Sequence, residues 1–304
     1  MEKDIRITYK QDKRLEIYNF NTQEITYTTL FDAIETYHKN QSINIRDVIF
    51  DRHPTSTEKE LFNIVQNEKS DITPFESQII IPYRATVENA FRKEQLHLFI
   101  KHMQNYMLSE HPEIKYKFVI IEQNNEHPFN RGILLNAGFM EREKDINEYI
   151  KYYIHHNCDL FPKLNFQPKL DYSYTPINEV RDLYGYSGGI GGIAIFNRLT
   201  YLKVNGFPND YFYWGAEDTT LYKRCQNNKI EIMRPTYNIG INEKQHARDG
   251  SHNNVNLRKS SNDNPTTNGI TNCKYTCIHN KDSEFNEHGD NIIHYLVDFE
   301  YKLN

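Results

Sequence analysis

The sequence predicts an α/β protein, with a mostly parallel central sheet, helices on both faces, and a small N-terminal α+β unit. Three observations lead there. Apolar or β-branched runs recur at residues 78–84, 118–122 and 149–155, as in buried strands. Residues 91–108 and 130–139 lie between them with apolar side chains near helical spacing. A strand–helix–strand–helix–strand order favours a parallel sheet. The first 75 residues follow a different, alternating pattern.

In chain order, Ile5-Arg6-Ile7-Thr8-Tyr9, Leu15-Glu16-Ile17-Tyr18 and Glu24-Ile25-Thr26-Tyr27 alternate as strands do. Residues 31–38 and 57–66 read as short helices. Residues 1–75 are therefore expected to be a separate module, and residues 76–304 the functional domain. In open α/β sheets, ligands bind beyond the carboxyl ends of the strands. Arg84, Glu122 and Asp159 all fall at such ends. Further on, residues 185–192 are glycine-rich, Asn205-Gly206-Phe207-Pro208 is a turn, and residues 217–225 form a helix. Residues 247–272 are rich in Asn, Ser, Thr and Gly and read as either a disordered loop or a lid that orders over ligand, the lid being the expectation.

The chain has 304 residues, enough to bury roughly 75% of its unfolded surface without disulfide staples. Its formal charge of -5 argues against a nucleic-acid partner. Cys158, Cys225, Cys273 and Cys277 match no disulfide framework, and the single C-x3-C lacks the second pair a zinc site needs. The N-terminus is charged at once, and no stretch approaches the ~18 apolar residues of a membrane span. The expected setting is cytoplasmic, with no membrane segment.

Four places carry candidate chemistry. Asp159 follows an apolar strand, where a carboxylate can hold a divalent ion or simply cap a turn. Trp214-Gly215-Ala216-Glu217-Asp218 sets the only tryptophan beside two acids at a helix start. A ring and two carboxylates suit sugar recognition; a core tryptophan and a helix cap are the other reading. His246 is a possible metal ligand among thirteen histidines. Gly188-Gly189-Ile190-Gly191-Gly192 matches neither the dinucleotide nor the Walker fingerprint, and suits close backbone approach instead.

In this order, the pieces resemble the β-1,4-galactosyltransferase family (glycosyltransferase family 7) from about Ile79 to Arg258. The matching stretches are Ile81-Pro82-Tyr83-Arg84, Phe129-Asn130-Arg131 with Leu134-Leu135-Asn136-Ala137-Gly138-Phe139, Cys158-Asp159-Leu160-Phe161-Pro162, Gly191-Gly192, Asn205-Gly206-Phe207-Pro208, the Trp214 segment and His246-Ala247-Arg248-Asp249. The resemblance implies a GT-A fold, a UDP-sugar donor, a glycan acceptor, inversion, and Mn2+ or another divalent cation. It places Pro82, Arg84, Phe129, Arg131, Asn157, Asp159, Gly191, Gly192 and Trp214 around the donor. Asp159, His246 and Glu243 would hold the metal. Trp214, Glu217, Asp218 and Arg258 would hold the acceptor, with Asp218 as base beside Glu217.

Three departures stand out. The family's acidic D-x-D is Asn157-Cys158-Asp159, similar also to chondroitin-polymerase-type N-acetylgalactosaminyltransferase domains. Glu243 stands where Met is usual, offering an added oxygen ligand. Gly189 stands where a bulky Tyr restricts the donor to galactose, unless Tyr186 takes that place in a shifted register. The expected function is transfer of galactose, N-acetylgalactosamine or a related hexose. The alternatives are an inactive sugar- or nucleotide-binding module of the same fold, which Asn157 favours, and a glycoside hydrolase, in which Arg84 and Arg131 would have no role.

Overall fold

The computed structural model of the chain describes residues 5–9, 14–19, 25–29, 49–50, 76–85, 91–144, 150–213, 215–235, 240–243 and 263–301. Backbone contacts divide the chain into two compact units, residues 1–74 with 146–149, and residues 75–145 with 150–304. In the smaller unit, β1 (Ile5–Tyr9), β2 (Arg14–Asn19) and β3 (Ile25–Thr29) form an antiparallel meander, with Ile7 opposite Ile17. The short β4 (Ile49–Phe50) adds to β1 in parallel, giving the order β3-β2-β1-β4. The helices expected at 31–38 and 57–66 lie outside the described residues.

The larger unit opens with β5 (Glu76–Tyr83), α1 (Phe91–Glu110), β6 (Tyr116–Gln123), α2 (Arg131–Glu143) and β7 (Ile150–His156). β5 lies between β6 and β7, parallel to both, with Ile79 opposite Phe118 and Ile154. Side chains alternate across a strand, so consecutive isoleucines enter different layers. Ile79 and Ile81 pack with Leu96, Phe99 and Met103 of α1, whereas Ile80 packs with Leu134 and Ala137 of α2. The run is apolar without a break because helices cover both faces. Full burial of each isoleucine contributes roughly 1.5–3 kcal/mol.

The chain then forms β8 (Leu160–Pro162), β9 (Glu179–Asp182), β10 (Ile193–Asn197), α3 (Arg198–Lys203), α4 (Glu217–Asn227), β11 (Glu231–Met233) and β12 (Ile241–Glu243). It closes with β13 (Thr276–His279) and β14 (Ile292–Asp298). The main sheet has the order β11-β9-β10-β7-β5-β6-β14-β13. Its centre is parallel, while β10 runs antiparallel to both β7 and β9, and β13 antiparallel to β14. β8 and β12 form a separate two-stranded ribbon. Among the described residues, no helix is long and apolar enough to cross a membrane.

Candidate active site

The carboxyl edge of the central strands collects most of the predicted residues. β7 delivers Asn157, Cys158 and Asp159. The loop after β6 delivers Arg131 at the first turn of α2. That helix starts there because Asn130 caps it, its side-chain oxygen accepting from the Ile133 amide at 2.9 Å. α4 starts after Gly215 and Ala216, whose φ of 72° is left-handed. A non-glycine residue held there costs of order 1–3 kcal/mol, and such strain clusters at functional sites. Here the tight entry sets Glu217 and Asp218 in the first helical turn.

Arg131 joins these elements. Its Nε donates to Asn157 Oδ1 at 3.0 Å, one terminal nitrogen to Asp218 Oδ1 at 2.5 Å, and the other to the Gly191 carbonyl at 3.1 Å. Glu217 lies 3.7 Å away. The guanidinium also sits over the Phe207 ring, 5.1 Å from its centroid. One planar fork thus ties together four loops whose sequence positions span 60 to 87 residues from the helix start in two cases. Burial works against the charge on Arg131, but the carboxylates of Asp218 and Glu217 outweigh it and hold the cation.

The two acids are not equivalent. Burial, then the neighbouring Asp218 charge, push Glu217 up to about 7, with Arg131 opposing. Burial raises Asp218 too, against the direct bond from Arg131. One guanidinium therefore neutralises Asp218, and Glu217 holds a proton near neutrality. An unfolded Glu ionises near 4.5, so the native state binds the extra proton between pH 4.5 and about 7. Stability from this group is present at the acid end and is lost as pH rises through that window. Glu217→Gln should flatten the Tm against pH curve between pH 5 and 7, leaving a residual slope from Asp182, which burial holds at about 6. An unchanged slope would reject the proton assignment.

Asp159 and Glu243 are the described members of the expected metal set. Asp159 is buried in the turn before β8, and β12 pairs with β8 so that Glu243 faces Leu160, the residue after Asp159. The Tyr184 hydroxyl donates to Glu243 Oε2 at 2.8 Å and steadies it. Burial pushes the Cys158 thiol up to about 12, so it offers no thiolate. The donor set is two carboxylates, which fits a hard divalent cation. His246 follows three residues after Glu243 but lies outside the described residues, as do Trp214 and Arg258.

The remaining predicted residues are placed as follows. Pro82 is buried within β5, opposite Ile121, and Arg84 is half-buried just past its end. The Phe129 carbonyl accepts from the Tyr213 amide at 2.9 Å, tying the loop that leads to Trp214 to the start of α2. A Cβ at Gly191 would collide with the Tyr184 carbonyl oxygen, so only glycine lets these backbones cross. The Gly189 face is closed by Tyr186, whose ring occupies the space a side chain there would need. Tyr186 is half-exposed, and its hydroxyl pairs with Thr219 at 3.0 Å. The Tyr186 ring, from three residues earlier, thus lies over Gly189.

Two motifs prove to be scaffolding. The Asn136 amide donates to the Phe207 carbonyl at 2.8 Å, and its oxygen accepts from the Phe207 amide at 3.0 Å, so α2 clamps the Asn205-Gly206-Phe207-Pro208 turn. Of the lid expected at residues 247–272, residues 247–262 lie outside the described residues. Arg224 grips Asp263 through two 2.7 Å bonds, and Asn268 donates to Asp210 at 2.8 Å. Residues 263–272 are therefore docked by charged and amide bonds that a count of polar residues does not reveal. Asp182 and Arg234 were not picked out from the sequence. Asp182 accepts from the Gly191 amide at 3.1 Å and from Arg234 at 2.8 Å, while Arg234 also donates to the Gly189 carbonyl at 2.8 Å. Their separation of 52 residues left no local signal.

Residues 56–167 match the family described as the N-terminal region of glycosyl transferase group 7, and residues 174–247 that described as the N-terminal domain of galactosyltransferase. Bos taurus beta-1,4-galactosyltransferase 1 is 30% identical over 180 residues, covering 56% of this chain and 41% of the relative. Mus musculus beta-1,4-galactosyltransferase 4 is 32% identical over 169 residues, covering 53% and 46%. The chain thus spans less than half the length of these relatives. A Drosophila beta-1,4-galactosyltransferase 7 mutant, solved with manganese, UDP-Gal and xylobiose, superposes with a TM-score of 0.59 at 22% identity, covering 74% of this chain and 95% of that one. That likeness gives the larger unit the GT-A architecture. With both family regions present in order between residues 56 and 247, this chain belongs to glycosyltransferase family 7, the β-1,4-galactosyltransferase family.

Proposed function

We propose that residues 76–304 form an inverting, divalent-cation-dependent glycosyltransferase that moves galactose, N-acetylgalactosamine or a related hexose from a UDP-sugar to a sugar hydroxyl, with residues 1–75 a separate module. The observation that carries this reading is the Arg131 fork, which brings Asp218 and Glu217 to the strand edge where Asn157 and Asp159 lie. A bound cation such as Mn2+ would neutralise charge on a departing diphosphate. Asp159, Glu243 and His246 are the residues that would hold it. The relatives' names and the manganese, UDP-Gal and xylobiose of the Drosophila complex support the same substrate class.

In this reading Asp218 accepts the proton of the attacking hydroxyl. Its Oδ1 is committed to Arg131, which leaves Oδ2 for the acceptor. Glu217 orients the acceptor hydroxyls, and Trp214 covers the sugar faces. Attack from the side opposite the diphosphate gives inversion. Tyr186, lying over Gly189, borders the donor sugar and limits bulk at its second carbon. Asn157 does not require the inactive alternative, because its amide serves Arg131.

UDP release should be measured over a panel of UDP-sugars with a sugar acceptor, with Mn2+ and with chelator. Turnover should require the cation, and Asp159→Asn should lower it by about a hundredfold or more, a loss at least as large as the 10–100-fold typical of outer-shell changes. UDP binding without release from any donor would favour the inactive module. Sugar release without a nucleotide donor would favour a hydrolase.

A further inference from the structure

We propose that His97, Glu287 and His288 form a second metal site, one that takes a borderline ion of the Zn2+ type. His97 projects from the second turn of α1. Glu287 and His288 end a 3-10 turn, Glu284–His288, that leads towards β14. His97 Nδ1 lies 2.9 Å from His288 Nε2 and 3.2 Å from Glu287 Oε1, and the last two atoms are 3.6 Å apart. Tetrahedral zinc with bonds of about 2.0–2.1 Å has ligand–ligand edges of about 3.3–3.4 Å. The three atoms thus already form nearly the right triangle. Among the described residues, this is the one His/Cys/Asp/Glu group with its ligand atoms so closely gathered.

The ligands are held from behind. The His97 ring packs on buried Phe285, 4.6 Å between centroids. Its other nitrogen faces the Glu284 carboxylate at 3.9 Å, and Lys93 holds that carboxylate at 2.6 Å. A carboxylate behind a ligating imidazole is the usual outer-shell support. Gln104 of α1 donates to the His288 carbonyl at 2.6 Å and fixes the turn. Glu287 is exposed, so water has access to the fourth position.

Two imidazoles and one carboxylate are softer donors than the Asp159–Glu243 pair, and Zn2+ stands above Mn2+ in affinity for nitrogen ligands. The site would also cross-link positions 191 residues apart, clipping the turn to α1. The competing arrangement is a plain hydrogen bond between neutral histidines, with no ion.

The test is calorimetric titration of the full, metal-stripped chain with Zn2+ alone, in an Asp159→Asn background that weakens the other site. One equivalent should bind, and Tm should rise by about 5 °C at a hundredfold excess over Kd. His97→Gln keeps a hydrogen-bonding group but removes the ligand, and it should weaken Zn2+ binding at least thirtyfold while circular dichroism stays native. Co2+ in place of Zn2+ should give the intense visible absorption of four-coordinate cobalt, lost in His288→Gln. Absence of Zn2+ binding, or equal Zn2+ affinity and equal cobalt absorption in the glutamine variants, overturns the proposal in favour of the histidine pair.

Discussion

Arg131→Leu should lower Tm by about 10 °C and leave sugar transfer undetectable. The side chain is 9% exposed and bonds to Asp218, Asn157 and the Gly191 carbonyl, with Glu217 close by. Removing one partner of a buried ion pair costs about 3–5 kcal/mol, because the other charge is left without compensation. In a domain of this size each kcal/mol is worth roughly 2–4 °C. Arg131→Lys separates charge from geometry. A lysine restores a cation but not a planar fork able to serve three acceptors at once. It should recover more than half of the lost stability and little of the activity. If Arg131→Leu melts within 2 °C of the parent, or if lysine restores transfer fully, the fork is not the organiser of this site.

The Asn157 amide follows from the same charge arithmetic. Asp218 and Glu217 already set two carboxyl groups around one guanidinium. A carboxylate at 157 would be a third around the same cation, raising the proton affinity of all three further. An amide offers Arg131 the same acceptor at 3.0 Å without that charge. Across the β8–β12 ribbon, Glu243 pairs with Leu160, the residue after Asp159.

Which parts of this were legible in the sequence depended on how local the cause is. β5, β6 and β7 were readable because burial on both faces makes Ile79-Ile80-Ile81, Phe118-Val119-Ile120-Ile121 and Tyr152-Tyr153-Ile154 apolar. The start of α2 was readable because its cap, Asn130, is adjacent to Arg131. The strands β9, β10, β13 and β14 were not, because they reach their neighbours through irregular connections rather than alternating with long helices. The candidate site residues were picked out through family resemblance, but their bonds were not legible. Nothing in Arg131 announces a partner 87 residues away, and Asp182 gains its meaning only from Gly191 and Arg234. Tyr186 and Gly189 show the limit of register. A gapless reading finds glycine at the position, while the turn folds the earlier tyrosine over it.

Asp218→Asn should fold, bind donor and metal, and lose transfer by about 10^2 to 10^4, the usual contribution of a positioned general base. The amide keeps the shape and can still accept from Arg131 through its oxygen. It has no carboxylate to take the acceptor proton. Stability should not fall, because the substitution removes one of two buried acids competing for a single cation, and Glu217, relieved of its neighbour's charge, should ionise more readily. That last effect gives a readout a merely structural role would not move. The pH dependence of stability assigned to Glu217 should shift to lower pH in Asp218→Asn, while UDP affinity in the presence of Mn2+ stays within about threefold of the parent, a difference of less than 1 kcal/mol. If kcat is retained in Asp218→Asn and falls instead in Glu217→Gln, the base is Glu217, and Arg131 acts to hold Asp218 as its counter-charge.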